Sequence, residues 1–187
     1  MTCDIILSGV GGQGVLSVAA VIAQAAMSDG LKVRQSEVHG MSQRGGAVLS
    51  HLRLSDTVIP GDLVPRGAAD MILSMEPLEA LRYIDYLGPD GVCVTAAEPV
   101  VNIPDYPGIE VILDAVRKLP KHDIVDTKER AKEAGSLKTA NIVLVGAASK
   151  YLPLGAESVE KALGVLFASK GSDVIDMNLK AFRGGAL

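Results

Sequence analysis

Tryptophan is absent from this 187-residue sequence, and only two phenylalanines and four tyrosines are present. Single-stranded nucleic acids are bound on exposed aromatic platforms, and this chain has few to offer. Lysine and arginine number 18 against 22 aspartates and glutamates, for a formal net charge of −4. The basic footprint of a nucleic-acid binder is therefore missing too. Cysteine is scarce: Cys3 and Cys93 stand alone, with no C-x-x-C. That leaves no support for a disulfide framework, a zinc site or an iron–sulfur cluster on this chain, and it points to a reducing cytoplasm. No apolar run approaches the ~20 residues that span a bilayer, so no membrane segment is expected. Met1-Thr2-Cys3-Asp4 lacks the basic start of a signal peptide. Low hydrophobicity and high charge density, the marks of disorder, are missing as well. What remains is a globular chain of one-domain size that can fold without disulfide or metal.

The hydropathy pattern alternates between two periods. Short apolar runs at 4–8, 32–38, 47–54, 70–74, 92–96 and 122–125 read as strands. Between them, Val15, Val18, Ala19, Ile22, Ala25 and Ala26 mark one helix face, with Gly30 as its stop. Leu78, Leu81, Ile84 and Leu87 predict a helix over 76–87, and Gly88-Pro89-Asp90-Gly91 reads as a turn. Ile109, Ile112, Leu113, Val116 and Leu119 mark another helix. From 127 onward only helices are predicted: a charged one to Gly135, one apolar all round over 140–149, and amphipathic ones over 159–167 and 173–187. Strand–helix alternation followed by helices predicts an α/β, Rossmann-like domain over 1–187. Its sheet is mainly parallel with helices on both faces, and 127–187 forms a helical C-terminal part.

Gly9-Val10-Gly11-Gly12-Gln13-Gly14 fits G-x-G-x-x-G between a strand and a helix. In that setting Gly9 would allow the tight turn, Gly11 a close backbone approach to a phosphate, and Gly14 close packing of helix on strand. Unpaired amides at the helix start would form an anion site. Glu37, at the end of the second strand, is the one candidate for a ribose hydroxyl. A doubly wound fold also uses glycine here simply to turn. The residues after Gly14 are Val15-Leu16, not Lys-Ser/Thr, which excludes a nucleoside-triphosphate loop. A second cluster, Ser36-Glu37-Val38-His39-Gly40-Met41-Ser42-Gln43-Arg44-Gly45-Gly46, joins two strands and is expected beside the glycine turn. Arg44 is suited to bidentate pairing with a carboxylate or phosphate, and Gly45-Gly46 to presenting amides to the same anion. Ser42 and Gln43 otherwise cap a turn. His39, His51 and His122 show no metal spacing, Cys93 lies within an apolar strand, and no nucleophile elbow occurs. No catalytic or metal residue is assigned.

Together the run Gly9–Val15 and the run Ser36–Gly46 resemble the gamma subunits of 2-oxoacid:ferredoxin oxidoreductases, most closely the small (beta) subunit of the indolepyruvate enzymes. Asp70–Pro77, Thr139–Gly146 and Asn178–Arg183 extend the likeness over most of the chain. The resemblance implies a complex that oxidatively decarboxylates a 2-oxoacid to an acyl-CoA and reduces ferredoxin. It implies thiamine diphosphate, magnesium and iron–sulfur clusters on a large partner subunit, with coenzyme A entering nearby. This chain lacks cluster cysteines and any thiamine motif; Gly61-Asp62-Leu63 does not begin one. The expected role is a non-catalytic subunit, inert alone, that binds none of these cofactors itself. Its Gly9, Gly11, Gly12, Gln13, Gly14, Glu37, His39, Ser42, Gln43, Arg44, Gly45 and Gly46 would line a cleft, meeting the partner or a CoA phosphate. A surface built to meet a large subunit carries apolar area, so the isolated chain is expected to form a homodimer. The other readings are a stand-alone NAD(P)-dependent oxidoreductase using Glu37, and a scaffold without ligand.

Overall fold

The computed structural model describes residues 1–39 and 45–187, without the side chain of His39. One sheet holds β1 (Thr2–Val10), β2 (Lys32–His39), β3 (Ala47–Ser55), β4 (Ala69–Ser74), β5 (Leu87–Ala96) and β6 (His122–Val125), in the order β2-β3-β1-β4-β5-β6. The pairs β1–β4, β4–β5 and β5–β6 are parallel. β3 alone runs against its neighbours, inserted between β2 and β1. The helices among the described residues are α1 (Val15–Ser28), α2 (Pro77–Arg82), α3 (Ile109–Arg117), α4 (Thr127–Glu133), α5 (Ala140–Ala148), α6 (Ala156–Phe167) and α7 (Ser172–Gly185).

β1 reads as a continuous apolar run because both of its faces are covered; Ile5, Ile6 and Leu7 have no exposed surface. Ile5 and Leu7 join Leu52, Leu54, Met71, Leu73 and Val94 in the main core, under α1, α5, α6 and α7. Ile6, Ile72 and Cys93 face the other way, onto Ala80 of α2 and Val116 of α3. α1 buries the stripe predicted for it and closes at Gly30, whose φ is +81°. There Leu31 N–H reaches back to Ala26 C=O (2.9 Å) and Gly30 N–H to Met27 C=O (3.1 Å), a left-handed C-terminal closure that satisfies the last carbonyls.

Two local readings change. The helix expected over 76–87 stops at Arg82 and gives way to a 3-10 turn over Ile84–Tyr86. Residues 88–91 are not a turn but part of β5. The cause is pairing: Leu87 already lies opposite Ala69, and pairing resumes at Val92 opposite Met71 after an irregularity. Gly88 and Gly91 serve that close passage, since a Cβ there would lie 3.1 Å and 2.7 Å from the Ala69 carbonyl oxygen. In the helical part, α5 is buried from Ile142 to Ala148. It crosses α7 where Gly146 meets Phe182 and Gly185, backbone on backbone.

Candidate functional site

The glycine turn after β1 and the described end of the second run, Gly45 and Gly46, meet at the carboxyl end of the sheet. β1 and β3 pair up to Val10 opposite Ala47. The ladder then continues past both strands, with Gly11 N–H donating to Gly46 C=O (2.8 Å) and Gly45 N–H to Gly11 C=O (3.2 Å). Left-handed backbone falls at Gly12 (φ +103°), Gly14 (φ +82°) and Gly45 (φ +75°), not at Gly9 or Gly11. Gly9 is instead a packing position, because a Cβ would sit about 3 Å from Val15, Gln13 and Met75. A Cβ on Gly14 would lie 2.5 Å from the amide nitrogen of Asn141 at the start of α5. That nitrogen donates to Gly14 C=O at 3.4 Å.

Gln13 is a tie within the protein. Its side-chain oxygen accepts from Val10 N–H (2.7 Å), and its side-chain nitrogen donates to Met75 C=O (2.8 Å). It thereby bridges the ends of β1 and β4, where the chain turns in opposite directions along the sheet. That switch point is the usual ligand crevice of a doubly wound fold. Its own N–H donates to Val10 C=O (3.1 Å). The N–H groups of Gly11 and Gln13 are therefore already committed within the protein. The start of α1 has no side-chain cap and no acidic residue in its first turn, and it keeps the positive end of its dipole.

That helix start opens on a cavity of about 480 Å³ lined by Gly11, Gly12, Gly14, Leu16, Glu37 and Val48. Glu37 thus lines the same cavity as the glycine turn, although β3 separates β2 from β1. A second crevice of about 210 Å³ lies on the other side of the turn, among Gly12, Gln13, Met75, Lys138 and Asn141. Ser42, Gln43, Arg44 and the His39 side chain lie outside the described residues.

Sequence reasoning missed the residues that support the second run. Asn102 donates its side-chain amide to Gly45 C=O (2.9 Å). The loop carrying Asn102 is held by Glu76, a buried carboxylate that accepts from Val100 N–H (3.3 Å) and from the Tyr106 hydroxyl. Glu76 also caps α2 through Glu79 N–H (2.8 Å). The only signal of this in the sequence is the Glu76-Pro77 pair, an acceptor just before a first-position proline. One turn on, Glu79 accepts from Arg82 (3.2 Å) through one oxygen, while the other is buried without a partner. Burial raises the Glu79 pKa, with Arg82 pulling against it.

The thiols do not fit a metal cluster. Cys3 and Cys93 lie on opposite faces of the sheet, and burial pushes each pKa up to about 12. Among the described residues no three His, Cys, Asp or Glu side chains come together in a way that could hold a metal ion. No helix of the described residues is long and apolar enough to cross a membrane.

Residues 4–187 match the family described as pyruvate ferredoxin/flavodoxin oxidoreductase. The chain belongs to that family of 2-oxoacid:ferredoxin oxidoreductase subunits. It is 40% identical to the indolepyruvate oxidoreductase subunit IorB of Thermococcus kodakarensis, over 97% of this chain and 93% of that one. The gamma subunit of a keto/oxoacid ferredoxin oxidoreductase from Geobacter sulfurreducens has a similar structure. The TM-score is 0.70 at 27% identity, over 98% of this chain and 95% of that one. The fold also matches 30% of a longer chain, the 2-oxoglutarate:ferredoxin oxidoreductase of Magnetococcus marinus solved with 2-oxoglutarate, coenzyme A and succinyl-CoA. There the TM-score is 0.76 at 22% identity, over 99% of this chain.

Proposed function

We propose that this chain is the non-catalytic small subunit of a 2-oxoacid:ferredoxin oxidoreductase acting on indolepyruvate or a related arylpyruvate. The observation that carries this reading is the near-full-length likeness to IorB subunits at about 40% identity. The assembly would cleave the 2-oxoacid, release carbon dioxide, form the acyl-CoA and pass the electrons to ferredoxin. Thiamine diphosphate, magnesium and the iron–sulfur clusters would belong to a large partner subunit; Cys3 and Cys93 are buried on opposite faces of the sheet, and no group of His, Cys, Asp and Glu among the described residues could hold a metal ion. The small subunit would contribute one wall of the cleft, from the glycine turn, Glu37 and the 36–46 run. The uncapped start of α1 beside its cavity suits an anion, and a CoA phosphate is the candidate in such a complex.

Reconstitution tests this. The chain alone should not reduce a viologen dye with any 2-oxoacid and CoA. With the large subunit from the same host, activity should appear and favour indolepyruvate over pyruvate and 2-oxoglutarate. Turnover by the small chain alone, or full activity of the large subunit without it, would overturn the role. A preference for another 2-oxoacid would overturn the substrate alone.

A further inference from the structure

Far from the glycine turn, residues 56–68 cross the second face of the sheet with neither helix nor strand to hold them. The segment is mostly exposed, and only Ile59 and Val64 are buried. Its attachment to β3 is polar. Val64 N–H donates to Nδ1 of His51 (3.2 Å), and Arg53 donates to the carbonyls of Gly61 and Leu63 (both 3.1 Å). Arg53 is itself held by Asp4 across the sheet, at 2.8 and 2.9 Å. His51 is 3% exposed and stands edge-on to Tyr86, ring centres 5.4 Å apart. To accept from Val64 its Nδ1 must be unprotonated, so the buried ring is neutral with its proton on Nε2.

We propose that residues 57–66 form a strap latched to the sheet by neutral His51 and released when that imidazole takes up a proton. A protonated Nδ1 would turn its N–H against Val64 N–H, donor to donor. It would also place a second positive charge beside Arg53. Among the described residues, the carboxylates of Asp4, Asp85 and Asp62 are already engaged. Asp4 on β1 is already engaged by Arg53. Asp85, beyond Tyr86, is paired with Arg66, and Asp62 of the strap with Arg34 of β2. Burial first, and Arg53 second, lower the pKa of His51. Uptake of a proton is therefore linked to opening: below the unperturbed value of about 6.5, the opening constant should rise up to about tenfold per pH unit.

Amide hydrogen exchange on the full chain separates this latch from a passive contact. Base-catalysed exchange of an ordinary opening amide slows about tenfold for each pH unit lost. For Val64, latch release should cancel that fall, leaving a nearly pH-independent rate below about pH 6.5, and this rate should be well above that of Leu7 in β1, whose release needs global unfolding. In His51→Gln the side-chain oxygen can accept the same N–H without titrating, and Val64 should regain the ordinary slope. Equal Val64 slopes in wild type and variant would overturn the latch. So would Val64 exchange as slow as that of Leu7, since opening would then be global. Should the variant fail to fold, the His51 imidazole is titrated in the wild-type chain by NMR. A value at or above about 6.5 overturns the proposal, and a lower one together with a flat Val64 slope supports it.

Discussion

Gly14 meets two demands at once, a left-handed backbone and a neighbour too close for any Cβ, whereas Gly12 meets only the first. An alanine at either position should cost about 1–2 kcal/mol for the backbone alone. Gly14→Ala should cost more, because Asn141 must also leave the Gly14 carbonyl. Denaturant unfolding of the two variants gives that order directly; equal losses would show that Asn141 yields freely. Gly11 has no left-handed backbone, so Gly11→Val should fold and carry its cost into the assembled complex, at the wall of the cavity. Arg44→Ala, in a stretch that the sequence reads as a glycine-rich connection, is expected to keep stability within about half a kcal/mol. Its effect is expected in weaker association with the large subunit or a raised CoA requirement. Full activity of that variant across CoA and substrate titrations would remove the 36–46 run from the functional reading.

Helix α2 shows how one element carries both cap and strain. Glu76 caps it and holds the Tyr106 loop, while Glu79 leaves one buried oxygen unpaired. A carboxylate whose folded pKa is raised stabilises the fold below its unfolded value and loses that contribution as pH rises through the folded pKa. Glu79→Gln removes the buried charge, so the variant should gain thermal stability over wild type as pH rises from about 4 through neutrality. A gap between the two melting temperatures that stays constant with pH would rule out Glu79 as the source. Most elements were legible in the sequence because their periodicity is strong: Val15 to Ala26 shows a helix stripe, and Ile5 to Leu7 a strand buried on both faces. The end of α2 was not legible, since the early pairing of Leu87 with Ala69 overrides an apolar spacing that continues to Leu87. The glycines at 88 and 91 look like turn residues, yet they serve a close strand crossing, which only the three-dimensional neighbour Ala69 reveals.

At the scale of the molecule, the hydrogen bonding of Gly45 and Gly46 to Gly11 joins two segments that the sequence marks by glycine alone. The supports of this junction were not legible, because Asn102 and Tyr106 lie in a proline-interrupted stretch with no periodicity and act over long sequence separations. The same region carries an unusual concentration of exposed apolar side chains. Leu16 (42% exposed) lines the larger cavity, Leu137 (54%) the smaller crevice, and Val101 (70%) and Ile103 (37%) flank Asn102. Single exposed apolar residues are ordinary, but several gathered around one structure mark a surface that meets another molecule. The expectation of self-association in the isolated chain rests on this rim. Sedimentation should show a dimer that dissociates on dilution, and Leu16→Asp with Val101→Asp should shift it to monomer. The paired change Val58→Asp and Val165→Asp, at exposed apolar sites that line neither the cavity nor the crevice, should leave the dimer intact. If the large subunit docks on the same rim, adding it should convert dimer into mixed complex, and the rim variant should fail in both assemblies. A rim variant that stays dimeric, or that loses the dimer yet binds the large subunit as tightly as wild type, would separate the two surfaces.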